Sequence, residues 1–150
     1  MTLEQVLLAI GPGDEGHVDA LVDTVVDIAG PTGATVVLFY ALSDEGYQTV
    51  LENLGVDPTS DQLSPTDLAA RNRLIDRAID RLTAADIDHD IRGAVGEPET
   101  AIVDEAADLP ADLLVIGGRK RSPAGKAVFG SVPQAVLLSA PCPVVYVRRD

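Results

Sequence analysis

The sequence predicts an α/β fold, a parallel sheet with helices on both faces. Three observations lead there. Short apolar runs alternate with longer amphipathic stretches in the order β-α-β-α-β-α-β-α-β. Such alternation needs right-handed crossover helices over a buried parallel sheet. Hydrophobic residues make up 46% of the chain but aromatics only 3%, with no Trp. The core must therefore be Val, Leu, Ile and Ala, the composition of strands covered on both sides. A length of 150 residues suits one domain, 1–150, large enough to bury a core.

Gln5–Ile10 is a short apolar run closed by Gly11-Pro12-Gly13, and reads as a buried strand. From His17 to Ala29, Val18, Leu21, Val22, Val25, Ile28 and Ala29 recur at helical spacing, with Asp19, Asp23 and Asp27 on another face. Pro31 and Gly33 are expected to stop that helix. Ala34–Leu42 is the second strand. The acidic stretch 43–64 holds one short helix around Gln48–Leu54. Ser64-Pro65-Thr66-Asp67 starts a helix running to about Ala85, with Leu68, Ile75, Ala78, Ile79 and Leu82 inward. Arg71, Arg73, Arg77 and Arg81 fall on its solvated face, where Arg73–Asp76 and Arg77–Asp80 spacings allow ion pairs. Ile87–Val95 alternates in part and reads as an edge strand. Helix Glu99–Leu109, strand Asp112–Ile116, helix Ser131–Ser139 with Pro133 in its first turn, and strand Pro143–Val147 complete the order.

Charge narrows the partners. The chain carries 24 acids, 17 of them Asp, against 11 bases, for a formal charge of −13. A field of that sign repels nucleic acid and anionic membrane surfaces. Abundant Asp with only two lysines points to a high-salt cytoplasm, whose counterions would screen the self-repulsion. Cys142 is the lone cysteine, so no intrachain disulfide is expected, and it reads as a small buried hydrophobe. The chain opens with no signal-like segment and holds no run of membrane-spanning length, so a soluble cytoplasmic protein is expected.

One stretch breaks the charge pattern. Residues 113–132 contain no acid but hold both lysines, Lys120 and Lys126, together with Arg119 and Arg121. The stretch follows the fourth strand and ends at Gly130-Ser131, where a helix opens. Free N–H groups at a helix start can cradle phosphate oxygens. Gly117-Gly118 would let the backbone leave the strand tightly and approach a ligand. A glycine turn followed by an ordinary Ser131 N-cap explains the same residue types. The clustered cations favour an anion site.

Two familiar phosphate motifs fit poorly. Gly11–Gly16 matches G-x-G-x-x-G in form, but Pro12 lacks an N–H and Asp14 and Glu15 place carboxylates where a pyrophosphate would lie. Asp14 reads better as a cap of the following helix. Gly125-Lys126 resembles the end of a P-loop, yet Lys120 stands where that motif needs Gly and Ala127 where it needs Ser or Thr. His17 and His89 have no metal-site spacing, and no Ser-His-Asp arrangement or nucleophile elbow is present. No catalytic constellation is found.

The segments Val115-Ile116-Gly117, Gly130-Ser131-Val132 and Ala140–Val147, with Gly96-x-Pro98, resemble the signature of the universal stress proteins. The resemblance implies a Rossmann-like five-stranded sheet of order 3-2-1-4-5. It also implies a homodimer through the last strand, Val144–Arg148. The ATP-binding branch carries G-x2-G-x9-G-[ST]. Here Gly117, Gly130 and Ser131 match, and Lys120 replaces the second glycine. The branch's Asp after the first strand falls at Gly11. An adenine would then contact Ala9, Ile10 and Ala41, with Ile116 and Val132 nearby. Lys120, Arg121 and Lys126 are the candidate phosphate contacts. The function implied is a cytoplasmic, non-enzymatic regulator that binds ATP or a related adenine nucleotide, with or without Mg2+. The alternatives are a family member acting only through protein partners and a weak ATP hydrolase.

Overall fold

The computed structural model describes residues 2–55, 63–118 and 130–148. Five strands, β1 (Gln5–Ile10), β2 (Thr35–Leu42), β3 (His89–Val95), β4 (Leu113–Gly118) and β5 (Val144–Arg148), form one sheet. All pairings are parallel, in the order β3-β2-β1-β4-β5. The chain winds outward from β1 in one direction through β2 and β3, then returns to add β4 and β5 on the other side. The reversal falls between β1 and β4, where loops diverge and leave a crevice at the strands' carboxyl ends.

Alternation along β1 and β2 builds the two layers. Val6, Leu8 and Ile10 with Val36, Leu38 and Tyr40 face α1 (Val18–Thr32) and α4 (Arg73–Ala84). Leu7 and Ala9 with Val37, Phe39 and Ala41 face α5 (Pro98–Asp108) and α6 (Ser131–Ser139). The central strands are buried on both sides, as their unbroken apolar runs require. Cys142 is half-buried against the second layer, where burial and then the Asp112 charge push its thiol pKa up. Among the described residues no helix is long and apolar enough to cross a membrane.

The helices differ from the sequence expectation in three places. Helix α1 passes through Pro31, and Gly33 alone ends it, left-handed at φ 71° with its N–H on Ala29 O at 2.9 Å. The short helix α2 (Asp44–Asn53) begins earlier than expected because Ser43 caps it, accepting from Gly46 N at 3.0 Å. The expected helix from Ser64 to Ala85 is two helices, α3 (Pro65–Ala70) and α4. The break is Asn72, whose side chain accepts from Leu74 N at 2.8 Å and Ile75 N at 3.4 Å and caps α4.

The arginines of α4 do not pair within their own helix. Arg73 reaches Glu15, Arg77 grips Asp19 with two bonds of 2.7 and 2.6 Å, and Arg81 reaches Asp23. Each pair is separated by 58 residues. Acids spaced by four, Glu15 just before α1 and Asp19 and Asp23 on it, thus meet arginines spaced by four along α4, so the two helices lie side by side in parallel.

The two edges of the sheet are dressed differently. At β3, helix α3 is pressed onto Gly93. The Thr66 hydroxyl accepts from Gly93 N at 3.1 Å and lies 3.5 Å from Gly93 O. At β5, Val144, Val145, Tyr146 and Val147 are only half-buried and form the sheet's other edge.

Candidate functional site

A cleft of about 300 Å³ opens at the carboxyl ends of β1 and β4. Its floor comes from the ends of the strands, Ala9 and Ile10 of β1, Ala41 of β2, and Ile116 and Gly117 of β4. One wall is the loop Gly11–Asp14, and another is the start of α6 with Gly130, Ser131 and Val132. Nine of the twelve site residues expected from sequence therefore meet here, drawn from three strands, a loop and a helix. The other three, Lys120, Arg121 and Lys126, lie outside the described residues.

Position along the fold explains the cleft's chemistry. Ala9, Ile10, Ala41 and Ile116 are buried side chains at the ends of apolar strands, so they present an apolar surface. The opening turn of α6 supplies the polar side. Gly130 is its N-cap at φ −66°, ψ 166°, with no side-chain cap. Ser131 is therefore the first helical residue, and the ordinary Ser N-cap expected as the plainer reading is not what forms. The first helical bond is Gln134 N to Gly130 O at 3.1 Å. The N–H groups of Ser131 and Val132 precede it, and Pro133 has none to offer.

The glycines fall into two groups. Gly117 and Gly118 do not turn the chain out of the strand, because β4 runs through both, paired with Val147 and Arg148. A Cβ on Gly117 would sit 2.6 Å from Asp14 Oδ1 and 3.3 Å from His17 Cδ2 and Leu21 Cδ2. One on Gly118 would strike the Tyr146 ring. Both positions are kept bare by the protein's own side chains. Gly11 and Gly130 are different. Gly11 has open space around its missing Cβ among the described residues, and a Cβ on Gly130 would meet only Pro133 Cδ at an ordinary 3.5 Å.

Asp14 does not cap α1. The cap position is His17, without a side-chain bond, and Asp14 turns back on its own loop. Its Oδ2 accepts from Gly11 N at 2.9 Å, and its backbone N donates to Gly11 O at 3.0 Å. The residue is 8% exposed. His17 is equally buried, with Nε2 3.4 Å from Val147 O, and it stands behind Gly117 rather than in the cleft. Among the described residues no group of three His, Cys, Asp or Glu side chains could hold a metal ion.

Sequence reasoning missed Pro12, Gly13, Asp14, Pro98, Ile102 and Pro133 as cleft residues. Pro98 and Ile102 lie one turn apart on α5, which the Gly96-x-Pro98 motif starts. Extending the face from Pro98 by four residues would have found Ile102.

Comparison with known proteins adds to this geometry. The family model described as the universal stress protein family matches residues 2–148. A universal stress protein of Mycolicibacterium smegmatis is 48% identical over 60 residues, 39% of this chain and 46% of that protein. That matched stretch spans less than half of the relative. Stress response protein NhaX of Bacillus subtilis is 27% identical over 155 residues, covering 91% of this chain and 93% of its own. Among solved structures, a universal stress protein in complex with cAMP has a TM-score of 0.66 at 22% identity, with both chains fully covered. The Archaeoglobus fulgidus protein in complex with dAMP has a TM-score of 0.63 at 19% identity, covering 98% and 99% of the two chains. An Arabidopsis thaliana protein with AMP bound has a TM-score of 0.65 at 14% identity, covering 98% and 92%. At these identities the structures speak for the fold, and the family model speaks for descent over almost the whole length. The chain belongs to the universal stress protein family.

Proposed function

We propose that the cleft binds an adenine nucleotide, base against Ala9, Ile10, Ala41 and Ile116, and phosphate toward Ser131 and Val132. The observation carrying this reading is the convergence on one cleft of an apolar floor and a helix start lacking a side-chain cap. Solved relatives of the same fold hold AMP, dAMP and cAMP, which supports the ligand class. In this reading the protein is a cytoplasmic regulator whose nucleotide occupancy matters more than turnover. The nucleotide is ATP or a close relative, and Mg2+ would accompany it through its phosphates.

A homodimer through antiparallel pairing of Val144–Arg148 belongs to the same proposal. Its support is the contrast between the two edges, one covered by α3 and one ending in half-buried valines.

The test is thermal shift and calorimetry with ATP and AMP in molar KCl. Ligand at a hundred times its Kd should raise Tm by about 5–10 °C for a chain of this size. Gly130→Ala adds a methyl that meets only Pro133 Cδ, at an ordinary 3.5 Å, among the described residues, so Tm of the free protein should hold while affinity falls about tenfold or more. No shift with millimolar ATP or AMP would overturn nucleotide binding and favour action through protein partners alone. Lys120→Ala with Lys126→Ala asks whether side chains reinforce the backbone contacts.

A further inference from the structure

Three helical starts border the cleft, and each brings a proline to it. Pro12 opens the turn Pro12–Asp14, Pro98 opens α5, and Pro133 is the third residue of α6. A helix start ordinarily leaves its first N–H groups without helical partners, so three of them at one crevice would make it rich in donors. Proline has no N–H to give. At Pro12 and Pro98 the proline holds the first helical position, where it is favoured on local grounds alone. Pro133 is different. It stands third, and Val132 before it holds helical backbone that a following proline disfavours. Local helix formation therefore does not call for proline here. What the residue changes is the donor set. Gln134 N is already bonded to Gly130 O at 3.1 Å, so the first turn of α6 keeps only the N–H groups of Ser131 and Val132 for a ligand.

We propose that Pro133 is a specificity-determining residue, which limits α6 to holding one phosphoryl group and so turns the cleft toward nucleoside monophosphates over triphosphates. This rests on the nucleotide reading above. Two N–H groups and the Ser131 hydroxyl serve the terminal oxygens of a single phosphoryl group. Each further phosphoryl group brings more negative charge, and the described lining residues include no Lys or Arg to meet it. That charge also enters the field of a chain at −13. The base keeps its apolar contacts whatever the phosphate number, because Ala9, Ile10, Ala41 and Ile116 lie at the strand ends. Affinity therefore rests mainly on the base and the first phosphate, and the later phosphates add nothing.

The experiment is calorimetric titration of the full chain with adenosine, AMP and ATP at fixed salt and Mg2+. It is repeated on Pro133→Ala, which restores one N–H to the first turn of α6. The wild type should bind AMP at least as tightly as ATP. In Pro133→Ala, AMP should tighten about tenfold, the worth of one charge-assisted hydrogen bond, while adenosine, with no phosphate, stays within about twofold. Circular dichroism checks that the variant is folded, and Pro133→Ser restores the same N–H as a second variant. If neither folds, the wild-type order of AMP and ATP decides alone. ATP bound more tightly than AMP by the wild type, or an AMP-to-adenosine ratio unchanged in a folded variant, overturns the role of Pro133 and leaves nucleotide binding standing. Absence of any AMP or ATP binding overturns both.

Discussion

Replacing Gly93 by alanine tests how the β3 edge is closed. A Cβ at this position would lie 2.6 Å from the Pro65 carbonyl carbon and 3.0 Å from Thr66 N, and closer still to the Pro65 carbonyl oxygen. These are backbone atoms at the first turn of a proline-started helix, so no rotamer change relieves the clash. Either α3 lifts or β3 bends. Lifting α3 separates Thr66 from the Gly93 N–H and loosens Leu68 and Ala69, both buried. Overpacking of this kind costs about 1–3 kcal/mol. The lost Gly93 N–H bond adds about 0.5–1.5 kcal/mol. A total near 2–4 kcal/mol lowers Tm by roughly 5–12 °C at this chain length. Gly30→Ala is the matched control. That glycine lies inside α1 with nothing near its missing Cβ, so alanine should stabilise by about 0.5–1 kcal/mol. Differential scanning calorimetry of the two variants settles the point. A Gly93→Ala Tm within 2 °C of wild type would refute the edge-closure argument.

Three other outcomes follow from the same contacts. The carboxyls of Asp112 and Asp67 are held below the ordinary range by backbone N–H bonds from Glu4 and Gln5 and from Ser64, and that of Asp19 by its bond from Arg77. Their folded values are depressed, so their contribution is full above about pH 4 and fades as pH falls through the folded values. Tm should drop below pH 4, and Asp112→Asn should flatten the drop in a pH series. Raising KCl to molar levels should raise wild-type Tm by screening the −13 charge, and the deficit of an Arg73→Gln, Arg77→Gln, Arg81→Gln variant should shrink with salt. A deficit that stays constant would mean that these arginines act through packing. Gly117→Ala should destabilise the protein by about 1–3 kcal/mol without any ligand present, because its methyl meets Asp14, His17 and Leu21.

The parts legible in the sequence were those set by local pattern. Gln5–Ile10 and Ser131–Ser139 appear with the bounds expected, since glycine or proline brackets both. The α-helical run after Ser64 was misread because its hydrophobic period continues through the break, while Asn72 stops it by a capping bond that periodicity does not reveal. Arginine pairing was misread for a related reason. Spacing of three within α4 allows Arg77–Asp80, but the neighbour that wins is Asp19, 58 residues away, and only tertiary packing brings it near. The cleft was legible where strand ends and glycine loops mark it. It was illegible at Pro98 and Ile102, which reach it because α5 packs over β2 and β3 and against α6.

The glycine signature now divides by physical role. Gly117 matches the nucleotide motif, yet its bareness is already required by Asp14, His17 and Leu21, so its presence says nothing by itself about a ligand. Gly130 also matches, and neither its backbone angles nor its described surroundings require glycine. Among the described residues nothing but Pro133 Cδ, at an ordinary 3.5 Å, lies near its missing Cβ. Gly11, where the ATP-binding branch has its Asp, is likewise unforced. Three residues later Asp14 is folded back by the Pro12–Asp14 turn onto the Gly11 N–H, and its other oxygen meets Gly117 from the same side as His17 and Leu21. The acid of this loop therefore serves the loop's own geometry and keeps Gly117 bare.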